Sequence, residues 1–418
     1  MTSAANLLTL LLLPLIVVLA TIWASLSIHL VLAARRSRAQ AVEVRRALAE
    51  LHRIEHSGML PEEQVRQLEA LVAGIERVML LRVATGLPDR SPAAEIFARA
   101  ATARHKLDWF VQQASASKSP RANWRRIAAL RLLAHQGYSG IVNLLGQAVA
   151  DRDSEIVGAA VAILGRLPDL KAAEILIGAL KHGQYSASRI ATYLDQFPLP
   201  IGHLMRPLLH HPNPTVRYWG VTLLASHRQS PALPDELAAL MKDPAPLVRR
   251  AAIASLARVS PQAAVAAARP LLKDPVWYVR AHAARAIAEA EDPDMGVEIA
   301  PLLADAEWWV RTAAKEALQR MGSEVWATLV PYLDHPDAFA RNGAAEVLQN
   351  IGILDSLIVL EAATGRPSAD KIEMLRKIAA AGGTRMTEAL LERVDRETRP
   401  RVRDLLANLG LEPAGVSA

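Results

Sequence analysis

The chain has 418 residues, of which 51% are hydrophobic and 22% are charged, and its formal net charge is +6. This composition is too apolar for a disordered chain, and the length is too great for one compact core. Cysteine is absent, which excludes disulfide scaffolds, thiolate metal sites and cysteine nucleophiles. Only 4% of the residues are aromatic, while alanine and leucine dominate, so we expect an all-α protein.

The N-terminal segment has the character of a membrane anchor. No formally charged residue occurs between positions 4 and 34. A helix over residues 7–32 would be about 39 Å long, more than the roughly 30 Å of a bilayer's hydrocarbon core. A cleaved secretory signal would begin with basic residues and contain a shorter apolar run. The sequence therefore predicts a retained transmembrane helix over residues 1–34.

A cluster of arginines follows this segment and holds most of the excess positive charge: Arg35, Arg36, Arg38, Arg45 and Arg46. The positive-inside rule predicts that the N-terminus lies outside and the rest of the chain in the cytoplasm. We expect a single-pass protein of a bacterial inner membrane. Anionic lipid headgroups are the expected ligand of the cluster. Residues 120–418 carry 34 basic and 32 acidic side chains, which argues against the nucleic-acid-binding alternative.

Three polar residues of the apolar segment, Thr21, Ser25 and His29, recur every four positions and therefore share one helical face. Such a face could contact a second membrane helix. Alternatively, Thr21 and Ser25 bond to their own helix while His29 lies at the interface.

Residues 35–119 form a basic juxtamembrane segment and a helical region. We expect helices over residues 39–56, 61–85 and 91–114, followed by a linker over residues 115–120. Ser91 before Pro92 is typical of a helix N-cap followed by proline at the first helical position.

One string in this region, from His52 through Glu55 to His56, matches the H-x-x-E-H pattern of zinc peptidases. The chemistry would need a third ligand and an enclosing cleft, and no strand pattern accompanies the string. We therefore expect no metal site, no cofactor and no metal-dependent hydrolysis, with a zinc peptidase kept as an alternative.

Residues 120–411 contain an internal repeat. Five short segments align without gaps, and each ends in an arginine at a nearly constant interval from the last: HPNPTVR (211–217), DPAPLVR (243–249), DPVWYVR (274–280), DAEWWVR (305–311) and HPDAFAR (335–341). Weaker copies on both sides bring the count to eight to ten units. Apolar residues at helical spacing follow each arginine, which predicts one amphipathic helix after each motif.

This motif resembles HEAT repeats, in particular the short bacterial HEAT-like units also found in phycobilisome lyases. The resemblance covers about two thirds of the chain and implies stacked helix pairs in an α-solenoid superhelix. Residues 412–418 would form a short tail.

In the family, the aspartate and the arginine of the motif commonly form a ladder between neighbouring repeats. Here the ladder would use Asp243, Arg249, Asp274, Arg280, Asp305 and Arg311. His211 and His335 replace the acidic member in the outer two of the five segments, so we expect the ladder to be interrupted there. Its role would be stacking and not catalysis.

Aromatic residues occupy matching positions of two successive repeats: Trp277 with Tyr278, and Trp308 with Trp309. Registered positions of a solenoid lie side by side. If Asp274 caps the following helix, Trp277 and Trp308 should be partly exposed, as is typical of a protein-binding surface. The alternative is that the large rings wedge between repeats.

The sequence thus favours a membrane-anchored cytoplasmic scaffold without enzymatic activity. It would bind a protein partner, as a subunit of an envelope assembly for polysaccharide synthesis or transport. The enzyme-class alternative is a lyase like its HEAT-like relatives, for which a membrane anchor has no evident use.

Overall fold

The computed structural model describes residues 2–57, 61–88, 91–115, 123–227 and 233–353, with side chains from Ile22 onward. Further along the chain it describes 373–374, 376–378, 391, 394 and 396–408. The described residues form helices and no strands. The chain divides into two compact units, an N-terminal unit (Met1–Leu199) and a C-terminal unit (Pro200–Ala418).

The N-terminal unit contains ten helices among its described residues. They are α1 (Thr2–Glu55), α2 (Pro61–Ala73), α3 (Arg77–Thr85), α4 (Pro92–His105), α5 (Leu107–Ser115), α6 (Asn123–Gln136), α7 (Ile141–Val149), α8 (Ser154–Leu164), α9 (Leu170–His182) and α10 (Ala187–Asp195). Near the C-terminal end of α1, Ala47, Leu51 and Ile54 are buried, and α1 contacts α2, α3 and α4.

The helix boundaries differ from the expected ones in three places. The helix expected over residues 39–56 is the continuation of α1. The helix expected over 61–85 is divided between α2 and α3, in a segment that contains the poor helix former Gly74. The helix expected over 91–114 ends at Lys106, whose φ of 63° is incompatible with a right-handed helix. The cap at Ser91 is confirmed, since its Oγ accepts a hydrogen bond from the Ala94 N–H at 3.1 Å.

The C-terminal unit repeats one arrangement in which a short helix precedes a longer one. The short helices are α11 (Gly202–Met205), α13 (Leu233–Ala239), α15 (Pro261–Ala268), α17 (Gly296–Ile299) and α19 (Trp326–Leu329). Each continues into a 3₁₀ turn, and four of these turns contain a proline near the start, which favours that tighter turn because it removes a backbone donor.

The longer helices, called the second helices below, are α12 (Pro214–Ser226), α14 (Pro246–Val259), α16 (Trp277–Ala288), α18 (Trp308–Arg320) and α20 (Ala338–Asn350). Each second helix packs against the next one along the chain. The residue before the motif arginine is buried in all five: Val216, Val248, Val279, Val310 and Ala340. This register forms the core between repeats and is the arrangement that the motif predicts.

The last described helix is α21 (Arg399–Asn408). The expected linker over residues 115–120 lies outside the described residues apart from Ser115, and so does the tail over residues 412–418. The boundary expected between residues 119 and 120 stays a prediction. Among the described residues, no helix combines the length and the apolar character needed to cross a membrane.

Candidate functional site

A ladder of ion pairs connects the second helices of the C-terminal unit. Each arginine contacts the aspartate of the following repeat through Nε and Nη2, at distances of 2.7–2.9 Å. The three pairs are Arg217 with Asp243, Arg249 with Asp274, and Arg280 with Asp305. Two parallel hydrogen bonds to one carboxylate fix both the distance and the angle between neighbouring repeats.

Each ladder carboxylate also organises its own repeat. Asp274 Oδ1 accepts the Val276 N–H at 2.9 Å, while Arg280 Nη1 donates to the Asp274 carbonyl oxygen at 2.8 Å. The expectation that Asp274 is the helix N-cap is wrong, because α16 begins at Trp277 and its N-cap is Val276. Oδ1 of this carboxylate instead accepts a donor just before the helix, and both of its oxygens accept Arg249 of the preceding repeat.

The pKa of Asp243 reflects these contacts. Burial alone would raise the pKa of this carboxyl, but the hydrogen bonds from Arg217 and the Ala245 N–H hold it below its usual range. The same carboxylate, mostly removed from water, therefore stays ionised at neutral pH.

Histidines replace aspartate at two ends of the ladder. His211 Nδ1 and His335 Nδ1 accept the N–H of the residue two positions on, at 3.1 Å in both cases. This reproduces the turn bond of the aspartates, but a single lone pair cannot also accept a two-pronged arginine. The Arg311 guanidinium instead lies 4.2 Å from the centre of the Phe339 ring.

Sequence reasoning missed one arginine of the ladder and an ion pair of the same kind in the N-terminal unit. Arg217, the partner of Asp243, was aligned with the other motif arginines but was not assigned to the ladder. In the N-terminal unit, Arg126 pairs with Asp151. The repeat spacing could have located Arg217, since it occupies the motif position one repeat before Arg249.

The aromatic residues lie at the beginning of α16 and α18. Trp277 is 37% exposed, Trp308 56% and Trp309 54%, and Tyr278 is half-buried. The two rings of each pair meet edge to face, with centroids 5.5 Å apart in α16 and 4.6 Å apart in α18. Large rings held open to solvent by a rigid helix end are a favourable surface for association.

A pocket of about 500 Å³ lies on this surface, across three successive second helices. We call it the aromatic pocket; it is lined by Leu247, Arg250, Trp277, Tyr278, Ala281, His282, Arg285 and Trp309. Its volume is within the range of ligand-binding pockets. Trp308, which was expected in the same surface, does not line it.

Five members of this lining were not expected from the sequence: Leu247, Arg250, Ala281, His282 and Arg285. Leu247, Tyr278 and Trp309 occupy one motif position, two residues before the arginine. Aligning the exposed position of every repeat would therefore have indicated one wall of the pocket. The small side chain of Ala281, aligned with Arg250, leaves the space between the walls.

His282 is held in a neutral form inside the aromatic pocket. Its Nδ1 lies 2.7 Å from the Tyr278 carbonyl oxygen, and because a carbonyl can only accept, Nδ1 carries the proton. Desolvation lowers the pKa of the imidazole, and the neighbouring charges of Arg250 and Arg285 lower it further, against a raising effect of the Tyr278 hydrogen bond.

We expect this histidine to make the C-terminal unit less stable in mild acid. A lowered folded-state pKa means that the unfolded chain binds the proton more readily, so stability is lost as the pH falls below the usual value of about 6.5. Melting curves of the full chain between pH 7.5 and pH 5.5 should show a smaller loss for His282→Gln than for the natural protein. The exposed His182→Gln is the control, and equal losses in both variants would contradict the assignment.

The predicted membrane and lipid contacts are placed along α1. Thr21 lies outside the described side chains; Ser25 and His29 are exposed, and His29 Nδ1 lies 3.0 Å from the Ser25 carbonyl oxygen. The arginines of the cluster, Arg35, Arg36, Arg38, Arg45 and Arg46, are all exposed. The contact of Thr21, Ser25 and His29 with another helix stays a prediction.

His52, Glu55 and His56 come together at the end of α1, with ligand atoms within 4.8 Å of one another. The imidazole rings are exposed and their centroids are 4.2 Å apart. His56 Nδ1 lies 2.9 Å from the His52 carbonyl oxygen. If Glu55 acts as the general base, as the motif implies, the cluster supplies two imidazole ligands and, among the described residues, lacks the third ligand that a catalytic zinc site needs.

Comparison with known proteins identifies the family. The family model for HEAT repeats matches residues 107–194, 203–288, 234–319 and 266–349. These matches together span more than half of the chain, and the protein therefore belongs to the HEAT-repeat family. No curated protein matches the sequence at a significant level.

Several solved structures are similar in fold at low sequence identity. Escherichia coli YibA is 18% identical with a TM-score of 0.32, over 69% of this chain and 97% of YibA. Human deoxyhypusine hydroxylase is 18% identical with a TM-score of 0.26, over 63% of this chain and 100% of the hydroxylase. Karyopherin Kap121p, bound to the extreme C-terminus of the protein phosphatase Cdc14p, is 14% identical with a TM-score of 0.46, over 82% of this chain and 46% of the karyopherin.

Proposed function

We propose that this protein is a membrane-anchored HEAT-repeat scaffold that binds a protein partner on the second helices of its C-terminal unit. The observation that carries the proposal is the aromatic pocket, together with the exposed rings beside it. Trp308 and Trp309 are more than half exposed, although a buried position between repeats would stabilise the protein more. Exposed tryptophans beside arginines are the residues that dominate binding energy in protein interfaces.

The scaffold function also agrees with what the ladder does. Three motif arginines, Arg217, Arg249 and Arg280, pair with the aspartate of the next repeat, and these pairs hold the second helices in a fixed register. In a rigid array the exposed rings are already held in place before the partner binds. Fewer side chains therefore lose conformational freedom on binding, which reduces the entropic cost of association. We propose binding and no catalytic activity, within a bacterial envelope assembly such as one for polysaccharide synthesis or transport.

The anchor is proposed from the N-terminal part of α1. Ile22, Trp23, Leu26, Ile28, Leu30, Val31 and Leu32 are all at least 45% exposed, and they follow a charge-free sequence that begins at residue 4. A long helix with large apolar side chains exposed on every face is suited to lipid and poorly suited to water. Anionic headgroups would bind the arginine cluster, and the face of Thr21, Ser25 and His29 would contact another membrane helix.

We expect the chain to stay in bacterial inner membranes after alkaline carbonate extraction, and removal of residues 1–34 to release it. Protease added outside intact spheroplasts should leave the repeats undigested, because the arginine cluster predicts that they face the cytoplasm. Digestion of the repeats would show the opposite orientation. Extraction of the full chain by carbonate would contradict the anchor itself.

The partner surface is tested by photo-crosslinking in cells. A photoreactive phenylalanine analogue at position 308 should form an adduct with another protein, since the natural side chain is exposed beside the aromatic pocket. The same analogue in place of Leu170, which is 44% exposed in the N-terminal unit, is the matched control. An adduct at neither position, or identical adducts at both, would argue against a specific surface on α18.

A further inference from the structure

The aromatic pocket has a distinctive balance of charge. Its lining contains two arginines and one histidine, and it contains no acidic side chain. A second pocket, between α16 and α18, is lined by Arg285, Ala288, Glu289, Glu316, Ala317 and Arg320. There two arginines meet two glutamates, with Arg285 bound to Glu316 and Arg320 bound to Glu289. Positive charge is therefore uncompensated in the aromatic pocket and compensated in its neighbour.

Arg250 is the source of this uncompensated charge. Among the described residues, no carboxylate pairs with its guanidinium, and the contact it makes is with the Tyr218 ring, 5.9 Å from the ring centre. Arg249, the adjacent residue, is by contrast fully engaged by Asp274. A half-buried cation beside apolar rings attracts an anion more strongly than one in open water, because the local dielectric constant is lower.

The other walls of the pocket favour an apolar group. Trp277, Tyr278, Trp309 and Leu247 line it together with the small Ala281. His282 adds no charge at neutral pH, and its free nitrogen, Nε2, can accept a hydrogen bond. The pocket thus offers a cation and an aromatic enclosure next to each other.

We propose that the aromatic pocket binds an acidic peptide segment of the partner, in which a carboxylate contacts Arg250 and an adjacent aromatic or large aliphatic side chain packs against Trp277 and Trp309. The inference rests on the proposed function and specifies the chemistry of its partner. A peptide fits better than a nucleic acid, because residues 120–418 carry almost equal numbers of basic and acidic side chains, whereas a phosphate backbone needs an extended cationic surface.

The test is selection of random dodecapeptides displayed on phage against the full chain in detergent. The enriched peptides are synthesised with a fluorophore, and their dissociation constants are measured by fluorescence polarisation. We expect the enriched sequences to place Asp or Glu within two residues of an aromatic or large aliphatic residue. Replacement of that acid by its amide should weaken binding about tenfold or more, as expected for a hydrogen bond to a charged group.

Variants of the protein test whether the peptide carboxylate contacts Arg250. Arg250→Gln should weaken the peptides by a similar factor, while Arg152→Gln, which removes an exposed arginine of the N-terminal unit, should leave their affinity unchanged. Melting curves show whether Arg250→Gln is folded; if it is not, the acid-to-amide peptide series on the natural protein gives the decision alone.

Several results would overturn the proposal. They are a consensus without acidic residues, peptide affinities that Arg250→Gln does not change, no enrichment at all, or equal Arg250-dependent binding of a single-stranded oligonucleotide. An apolar, uncharged consensus combined with a crosslinked partner at position 308 would leave the scaffold function standing and refute only the acidic segment. If the crosslink at position 308 is also absent, both the scaffold function and the acidic segment are refuted.

Discussion

Replacing Asp274 with alanine should lower the free energy of unfolding of the C-terminal unit by about 3 kcal/mol, because it leaves a buried charge without its partner. The Asp274 side chain is 4% exposed and that of Arg249 is 12% exposed, so water cannot fully replace the lost carboxylate. The Val276 N–H loses its acceptor in the same variant. Urea titration of the full chain in detergent, followed by circular dichroism, measures the effect.

Two further variants separate the loss of the ion pair from the loss of the acceptor for the Val276 N–H. Asp274→Asn retains an oxygen for the Val276 N–H but removes the charge, so it should recover only a part of the loss. Glu316→Ala breaks a different pair between α16 and α18, in which Arg285 and Glu316 are 43% and 55% exposed. An exposed pair contributes at most about 1 kcal/mol. Equal destabilisation by Asp274→Ala and Glu316→Ala would show that the ladder does not hold the repeats together.

Adjacent residues of α18 should separate partner binding from stability. Trp309→Ala should weaken the binding of the crosslinked partner by about 2 kcal/mol, which is a roughly 30-fold increase in the dissociation constant, because an exposed aromatic side chain of the pocket lining is lost. Its melting temperature should change little. Val310→Ala should do the reverse and cost about 2 kcal/mol of stability, since Val310 is fully buried. Trp277→Ala and Trp308→Ala extend the test to the other two exposed rings.

The measurement uses the purified full chain and the partner identified at position 308. Affinity is expressed per folded molecule, so that a loss of stability is not counted as a loss of binding. If Trp277→Ala, Trp308→Ala and Trp309→Ala all lower the melting temperature as much as Val310→Ala, and affinity stays constant, then the rings pack between repeats. In that case the aromatic pocket is not a binding surface.

The amino-acid sequence by itself determined the repeat architecture of this protein. A nearly constant repeat length brings equivalent positions of neighbouring units together, so an alignment of the chain with itself reveals which residues become neighbours. The burial of Val279 and Val310 follows from the helical period of the motif. The pairing of Arg249 with Asp274 follows the ladder that the family resemblance implies.

Only the tertiary structure decided where the helices break and what the exposed residues enclose. The break between α2 and α3 and the positive φ of Lys106 interrupt two segments in which the sequence pattern predicted continuous helices. The sequence does not show which arginine of the pocket is paired. Arg285 forms an ion pair with Glu316 on the next second helix, whereas Arg250 pairs with no carboxylate among the described residues. Because that difference is set by side-chain direction and by the space over Ala281, the charge of the pocket is a property of the folded array.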